Sequence, residues 1–227
     1  MEQEHLKLSR SSLRLFKECP KCFWLEKHEG IRRPAGYPQA LANAVDLLLK
    51  SEFDEYRQKG KPHPLLKKYK IDCLLFPDIN KLNSWRNTKE GLRFFDKNLN
   101  AYLFGAVDDV LQFPSGELAI LDYKTTGAAQ VNIYEEYQDQ MNVYTFLLEK
   151  EGYRVSDKAY FAFFIADRLN GFGDRLPFRA EIHAIGVNKE VVQSEFEKAV
   201  SVARTDSPPS HSLNCEYHAW HHRIKNF

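Results

Sequence analysis

The sequence predicts an α/β fold, and three observations carry that prediction. Apolar residues repeat at helical intervals before residue 60, switch to period two after Gly91, and return to helical spacing at Tyr134. Pro114-Ser115-Gly116 is a turn signal that joins two of the period-two runs as a hairpin. Between Leu41 and Ala166 the resulting order is αβββαβ. That order predicts a central mixed sheet of about four or five strands flanked by helices.

The elements follow in chain order. Leu8 to Ser12 supplies serine N-caps for a helix carrying Leu13, Phe16, Phe23 and Leu25, disturbed at Pro20. Gly30, Pro34 and Gly36 mark a loop. Leu41, Val45, Leu48, Leu49, Phe53 and Tyr56 fit one amphipathic helix of about four turns. Lys59 to Pro64 is a turn-rich break, and the period of Leu65 to Asn87 is ambiguous. Arg93 to Asp96, Ala101 to Phe113 and Glu117 to Lys124 read as consecutive strands. Tyr134 to Glu151 is helical, with Tyr137, Met141, Tyr144, Leu147 and Leu148 on one stripe. Strands at Lys158 to Ala166 and Phe178 to Val187 precede a helix at Asn188 to Arg204, which Ser207-Pro208-Pro209-Ser210 breaks. No repeat or linker divides the chain, so 1–227 reads as a single domain with an N-terminal helical segment (about 8–70) and a C-terminal tail (205–227).

The bulk numbers narrow the function. A hydrophobic share of 43% with 28% charged residues argues for a folded chain. No apolar run approaches membrane-spanning length, and the polar start lacks a signal-peptide core, so a cytoplasmic protein is expected. A net charge of +1 argues against a histone-like coating role. Charge is local instead: Arg57 to Lys70 holds basic residues and no acid. Its glycine and prolines predict a loop whose Lys67, Lys68 and Lys70 contact a nucleic-acid backbone, the plainer alternative being a solvated loop. Four cysteines are too few for a disulfide framework, and Cys19-x-x-Cys22 has metal-ligand spacing.

The chemistry concentrates in Gly105-Ala-Val-Asp108, Asp122-Tyr123-Lys124 and Gln140-x-x-x-Tyr144. Asp122 and Lys124 share a strand face by period two, and the hairpin brings Asp108 near Asp122. Gln140 and Tyr144, one turn apart, face the same way on their helix. Two carboxylates and a lysine at strand ends are what metal-dependent phosphodiester cleavage requires. These residues resemble the PD-(D/E)XK nuclease superfamily, most closely its RecB-like and CRISPR-associated exonuclease branch. The resemblance implies a restriction-endonuclease-like αβββαβ core and Mg²⁺- or Mn²⁺-dependent hydrolysis of DNA. It implies that Asp108, Asp122 and the backbone carbonyl of Tyr123 hold the cation and that Lys124 orients the attacking water. Gln140 and Tyr144 match that branch's Gln-x-x-x-Tyr signature. Asp46 stands where the branch often has a metal-facing histidine, with a plain helix-surface aspartate as the alternative. Asp109 reads as a neighbour, since adjacent strand residues face opposite ways. Phe76-Pro77-Asp78 contains a literal Pro-Asp, but no hairpin links it to Asp122, and it reads as a decoy.

The first helix also resembles the N-terminal signature of iron–sulfur-bearing RecB-like nucleases. Here Cys19-x-x-Cys22 and Cys215-x-x-His218 offer four ligands in two chelating pairs, suited to Zn²⁺, with an iron–sulfur cluster as the other option. The three-cysteine C-terminal pattern of those relatives is absent. Cys19 and Cys22 packing as small apolar residues is the plainer reading. Two rival functions stand beside the nuclease: a catalytically silent DNA-binding or scaffold protein of this fold, and a zinc-stapled interaction module. No P-loop occurs, so a helicase or another repair or defence partner would be a separate chain.

Overall fold

Strand β1 (Leu6–Ser9) runs straight into helix α1 (Arg10–Glu18), and Ser9 sets the boundary. Its hydroxyl accepts the Ser12 N–H at 3.1 Å while the Ser12 hydroxyl accepts the Ser9 N–H, a reciprocal cap. Cys19 is extended and Pro20 opens α2 (Pro20–His28), so the predicted disturbance is a break between two helices. After an irregular stretch come α3 (Ala40–Gln58), α4 (Pro64–Lys68), β2 (Leu74–Leu75) and α5 (Ile79–Arg86). Strands β3 (Leu92–Asp96), β4 (Ala101–Gly105), β5 (Asp109–Gln112) and β6 (Leu118–Thr126) follow. Then come α6 (Glu135–Lys150), β7 (Lys158–Ala166), β8 (Phe178–Gly186), α7 (Glu190–Ala203) and α8 (Glu216–Lys225). This computed structural model describes residues 5–169, 171 and 173–225. Among them no helix is long and apolar enough to cross a membrane.

The architecture is mixed α/β with two sheets flanked by helices, ordered β1-β4-β3 and β2-β5-β6-β7-β8. The stretch Ala101 to Phe113, expected as one strand, is two: β4 pairs in parallel with β1, whereas β5 pairs with β6 in the other sheet. Residues 106–108 carry the chain between sheets. The hairpin β5–β6 turns at Gly116, whose φ of +82° a side chain would strain, and closes with the Phe113 N–H on Glu117 O at 2.9 Å. Parallel strands β6 and β7 need a crossover, and α6 supplies it. Glu135 and Glu136 in its first turn and Lys150 in its last suit the helix dipole. Met141, Tyr144, Leu147 and Leu148 are buried on it, along the expected stripe.

The described residues cluster into two compact units. One comprises Met1–Tyr37, Phe94–Phe104 and Glu190–Phe227; the other comprises Pro38–Arg93 and Gly105–Lys189. In the second, α3 packs Leu49 and Phe53 against Leu111, Leu121 and Tyr123 of the five-stranded sheet. The expected α3 stripe is only partly inward, because Leu41 and Leu48 are exposed. The basic run is also corrected. Arg57 is buried in the last turn of α3, and α4 is a helix capped by His63, whose Nδ1 accepts the Leu65 N–H at 3.2 Å. Glycine and prolines dominated the prediction, but Pro64 at a first helical position starts a helix rather than ending one.

Candidate functional site

The paired register of β5 and β6 assembles the site. Asp109 lies opposite Leu121, which sets Asp108, one residue before β5, across from Asp122. Asp108 Oδ2 accepts the Tyr123 N–H at 3.2 Å, tying it to that strand. Asp122 is buried, and its Oδ2 accepts from Lys124 Nζ. Gln140 from α6 closes the set: its Nε2 donates to Asp122 Oδ1 at 2.7 Å, and its Oε1 accepts from Lys124 Nζ at 3.3 Å. That amide orientation satisfies both partners at once. The Tyr144 hydroxyl lies 3.4 Å from the same Nε2. Lys124 stays partly exposed, its ammonium 5.1 Å from the centre of the Tyr137 ring. Asp108, Asp122, Lys124, Gln140 and Tyr144 are thus contiguous.

Asp46 reaches this set through a residue that sequence reasoning missed. Lys50, one turn along α3, lies 2.7 Å from Asp46 Oδ2 and 3.0 Å from Asp108 Oδ1. Burial alone would depress the Lys50 pKa, but Asp108 and Asp46 together hold it above the usual lysine value. The i,i+4 spacing of Asp46 and Lys50 was a usable signal. Gly105 has a separate role: a Cβ there would lie 2.7 Å from Tyr144 Cε1. The glycine of the G-x-x-D pattern therefore makes room for the tyrosine of Gln-x-x-x-Tyr.

The opposite face of the strands holds a different cluster. Asp109 is fully buried and takes both Arg57 Nη2 contacts, at 2.6 and 2.7 Å, and the Tyr123 hydroxyl at 2.6 Å. Arg86 bridges Asp54 at 2.6 Å and Asp109 at 3.3 Å. Burial, and then the Asp109 charge, push the Tyr123 phenol well above its usual pKa, so it stays a neutral donor. Asp109 is a framework residue, as alternation implied. Asp78 caps α5 by accepting the Lys81 N–H at 3.0 Å. Lys67 and Lys68 lie on α4, with Lys70 just beyond; the Lys68 ammonium sits 3.4 Å from Ala180 O on β8. They do not join the carboxylates in any ion pair among the described residues.

Asp46, Asp108 and Asp122 are an all-oxygen donor set, the chemistry a hard divalent cation prefers. They stand around two ammonium groups, Lys50 and Lys124, leaving one carboxylate charge unbalanced. The residues fit such a cation, with the lysines compensating the carboxylates without it.

A second donor set lies in the other unit. Ligand atoms of Cys19, Cys22, Cys215 and His218 all fall within 4.8 Å of one another. The three cysteines are buried and unbridged, packed with Leu15. Cys22 Sγ is 3.6 Å from Cys215 Sγ and 3.5 Å from His218 Nε2, and Arg33 Nη2 approaches Cys215 Sγ at 3.7 Å. Burial pushes the Cys22 thiol up to about 11. Burial would raise Cys19 too, but backbone hydrogen bonds at Cys22 and Ser212 bring it below the usual thiol value.

Comparison with known proteins gives a family and little more. The family model described as the PD-(D/E)XK nuclease superfamily matches residues 7–220. No curated protein matches. A solved structure described as "Crystal structure of SSO0001" is similar at a TM-score of 0.49 with 12% sequence identity, over 92% of this chain and 80% of that chain.

Proposed function

Because the chain belongs to the PD-(D/E)XK nuclease superfamily over residues 7–220, we propose that it is a Mg²⁺- or Mn²⁺-dependent nuclease that hydrolyses DNA phosphodiesters, of the RecB-like branch. The observation that carries this reading is the hydrogen-bonded set Asp122–Lys124–Gln140, with Asp108 anchored beside it on the Tyr123 amide. Asp108, Asp122, Asp46 and the Tyr123 carbonyl would hold the cation. When bound, it neutralises phosphate charge and lowers the pKa of water. Lys124 orients the nucleophilic water and offsets negative charge gathering on the phosphorus. Gln140 holds both Asp122 and Lys124 in place, so it positions them. Tyr144 buttresses Gln140. Lys67, Lys68 and Lys70 support backbone contact without base reading, since ammonium groups on α4 and its following turn grip phosphates unspecifically.

Asp122→Asn and Lys124→Ala should each lower cleavage of linear DNA by on the order of a thousandfold or more while circular dichroism stays native. Wild-type rates in either variant would overturn the nuclease reading. A wild-type chain that binds DNA without cutting it, with either metal supplied, would favour the silent scaffold.

A further inference from the structure

We propose that Cys19, Cys22, Cys215 and His218 form a closed, structural, mononuclear zinc site and do not house an iron–sulfur cluster. The inference uses none of the carboxylates and stands apart from the nuclease reading.

The separations decide between the two metals. Bonds of about 2.3 Å to sulfur and about 2.0 Å to nitrogen make tetrahedron edges of about 3.8 Å between sulfurs and about 3.5 Å between sulfur and nitrogen. The observed values are 3.6 Å and 3.5 Å, with no pair of the four beyond 4.8 Å. A cubane cluster binds each protein ligand to a different iron, so an inorganic cage must fit inside the ligand ring and spread it apart. Four donors this close leave room for one ion. They are also too far apart for a disulfide, whose sulfurs are about 2.05 Å apart, and the cysteines are free.

The surroundings suit the same ion. One chelating pair spans the junction of α1 and α2, and the other spans the start of α8. Arg33 and backbone N–H groups point at the sulfurs, the outer hydrogen bonds that a thiolate site requires. Those donors favour thiolates, and three thiolates buried together call for a cation between them. A cleft of about 460 Å³, lined by Cys22 and His218 with Arg33 and Trp220, gives the ion a way in.

The test uses the full chain, purified without added metal. Metal analysis should find one zinc per chain and no acid-labile sulfide. Replacement by Co²⁺ should give the visible absorption of a tetrahedral three-sulfur, one-nitrogen site. His218→Cys should keep one Co²⁺ with a shifted spectrum, and His218→Ala should weaken zinc affinity at least about tenfold. Iron with labile sulfide, a metal-free chain, or a cobalt spectrum identical in the wild type and His218→Cys would each overturn the proposal.

Discussion

Asp108 and Asp109 are neighbours in the chain, yet one meets Lys50 and the Tyr123 amide while the other lies beneath Arg57, Arg86 and the Tyr123 hydroxyl. The difference follows from strand alternation, and it separates chemistry from stability. Asp109→Asn leaves the buried Arg57 guanidinium with only the Asp54 carboxylate, 3.1 Å from its Nε, as counter-charge, and breaking such a buried pair costs about 3–5 kcal/mol. Urea unfolding should show that loss, whereas metal binding at the carboxylates should persist. A loss under about 1 kcal/mol would place the pair among weak surface bridges. Lys50 acts oppositely. Its ammonium sits between Asp46 and Asp108, where it competes with any divalent cation. Lys50→Met should therefore tighten Mn²⁺ binding by at least about tenfold in a calorimetric titration. Weaker binding in the variant would show instead that Lys50 organises the carboxylates for the metal.

Between elements, the close approach of Gly105 to α6 turns two short motifs into one contact. Gly105→Ala would drive a methyl group into the Tyr144 ring, with Leu147 Cδ1 3.5 Å from the same methyl. Overpacking of this kind costs about 1–3 kcal/mol. The double variant Gly105→Ala with Tyr144→Leu should recover part of that loss in chemical denaturation, and simple additivity would disprove the contact. The sequence displayed both motifs but not their contact, which depends on where the chain changes sheets. That change was hidden for a physical reason. Ala101, Leu103, Gly105 and Val107 are all buried and the residues between them less so, so period two runs unbroken through the end of β4. Strand β1 was missed because it has four residues, two of them polar, and its partner lies about a hundred positions away. By contrast, β7 and α6 were legible to within a residue, because their periods are long and their ends carry local signals. The Asp122–Lys124 face was legible from alternation alone. The Lys50–Asp108 and Arg57–Asp109 contacts were not, because each joins a cation to an acid distant in sequence.

At the scale of the whole chain, the unit holding the cysteines is assembled from three separate stretches, Met1–Tyr37, Phe94–Phe104 and Glu190–Phe227. Among the described side chains of its last helix, the large apolar ones are exposed: Tyr217 and Trp220 on α8 face outward, whereas Cys215 just before it is buried. A bound ion would supply what packing does not, because ligand binding to the folded form alone becomes folding free energy. The five-stranded sheet has its own core, with Leu111, Ala119, Leu121 and Ala162 fully buried. Chelation should therefore act locally. In native-state hydrogen exchange, adding a strong zinc chelator should speed exchange in α8 and the first turn of α2 by at least about tenfold, since local opening there loses its tether. Amides of β6 and β7 should keep their protection. Acceleration spread evenly over both units would mean that the ion supports global stability, and no acceleration in α8 would mean that its packing suffices without the ion.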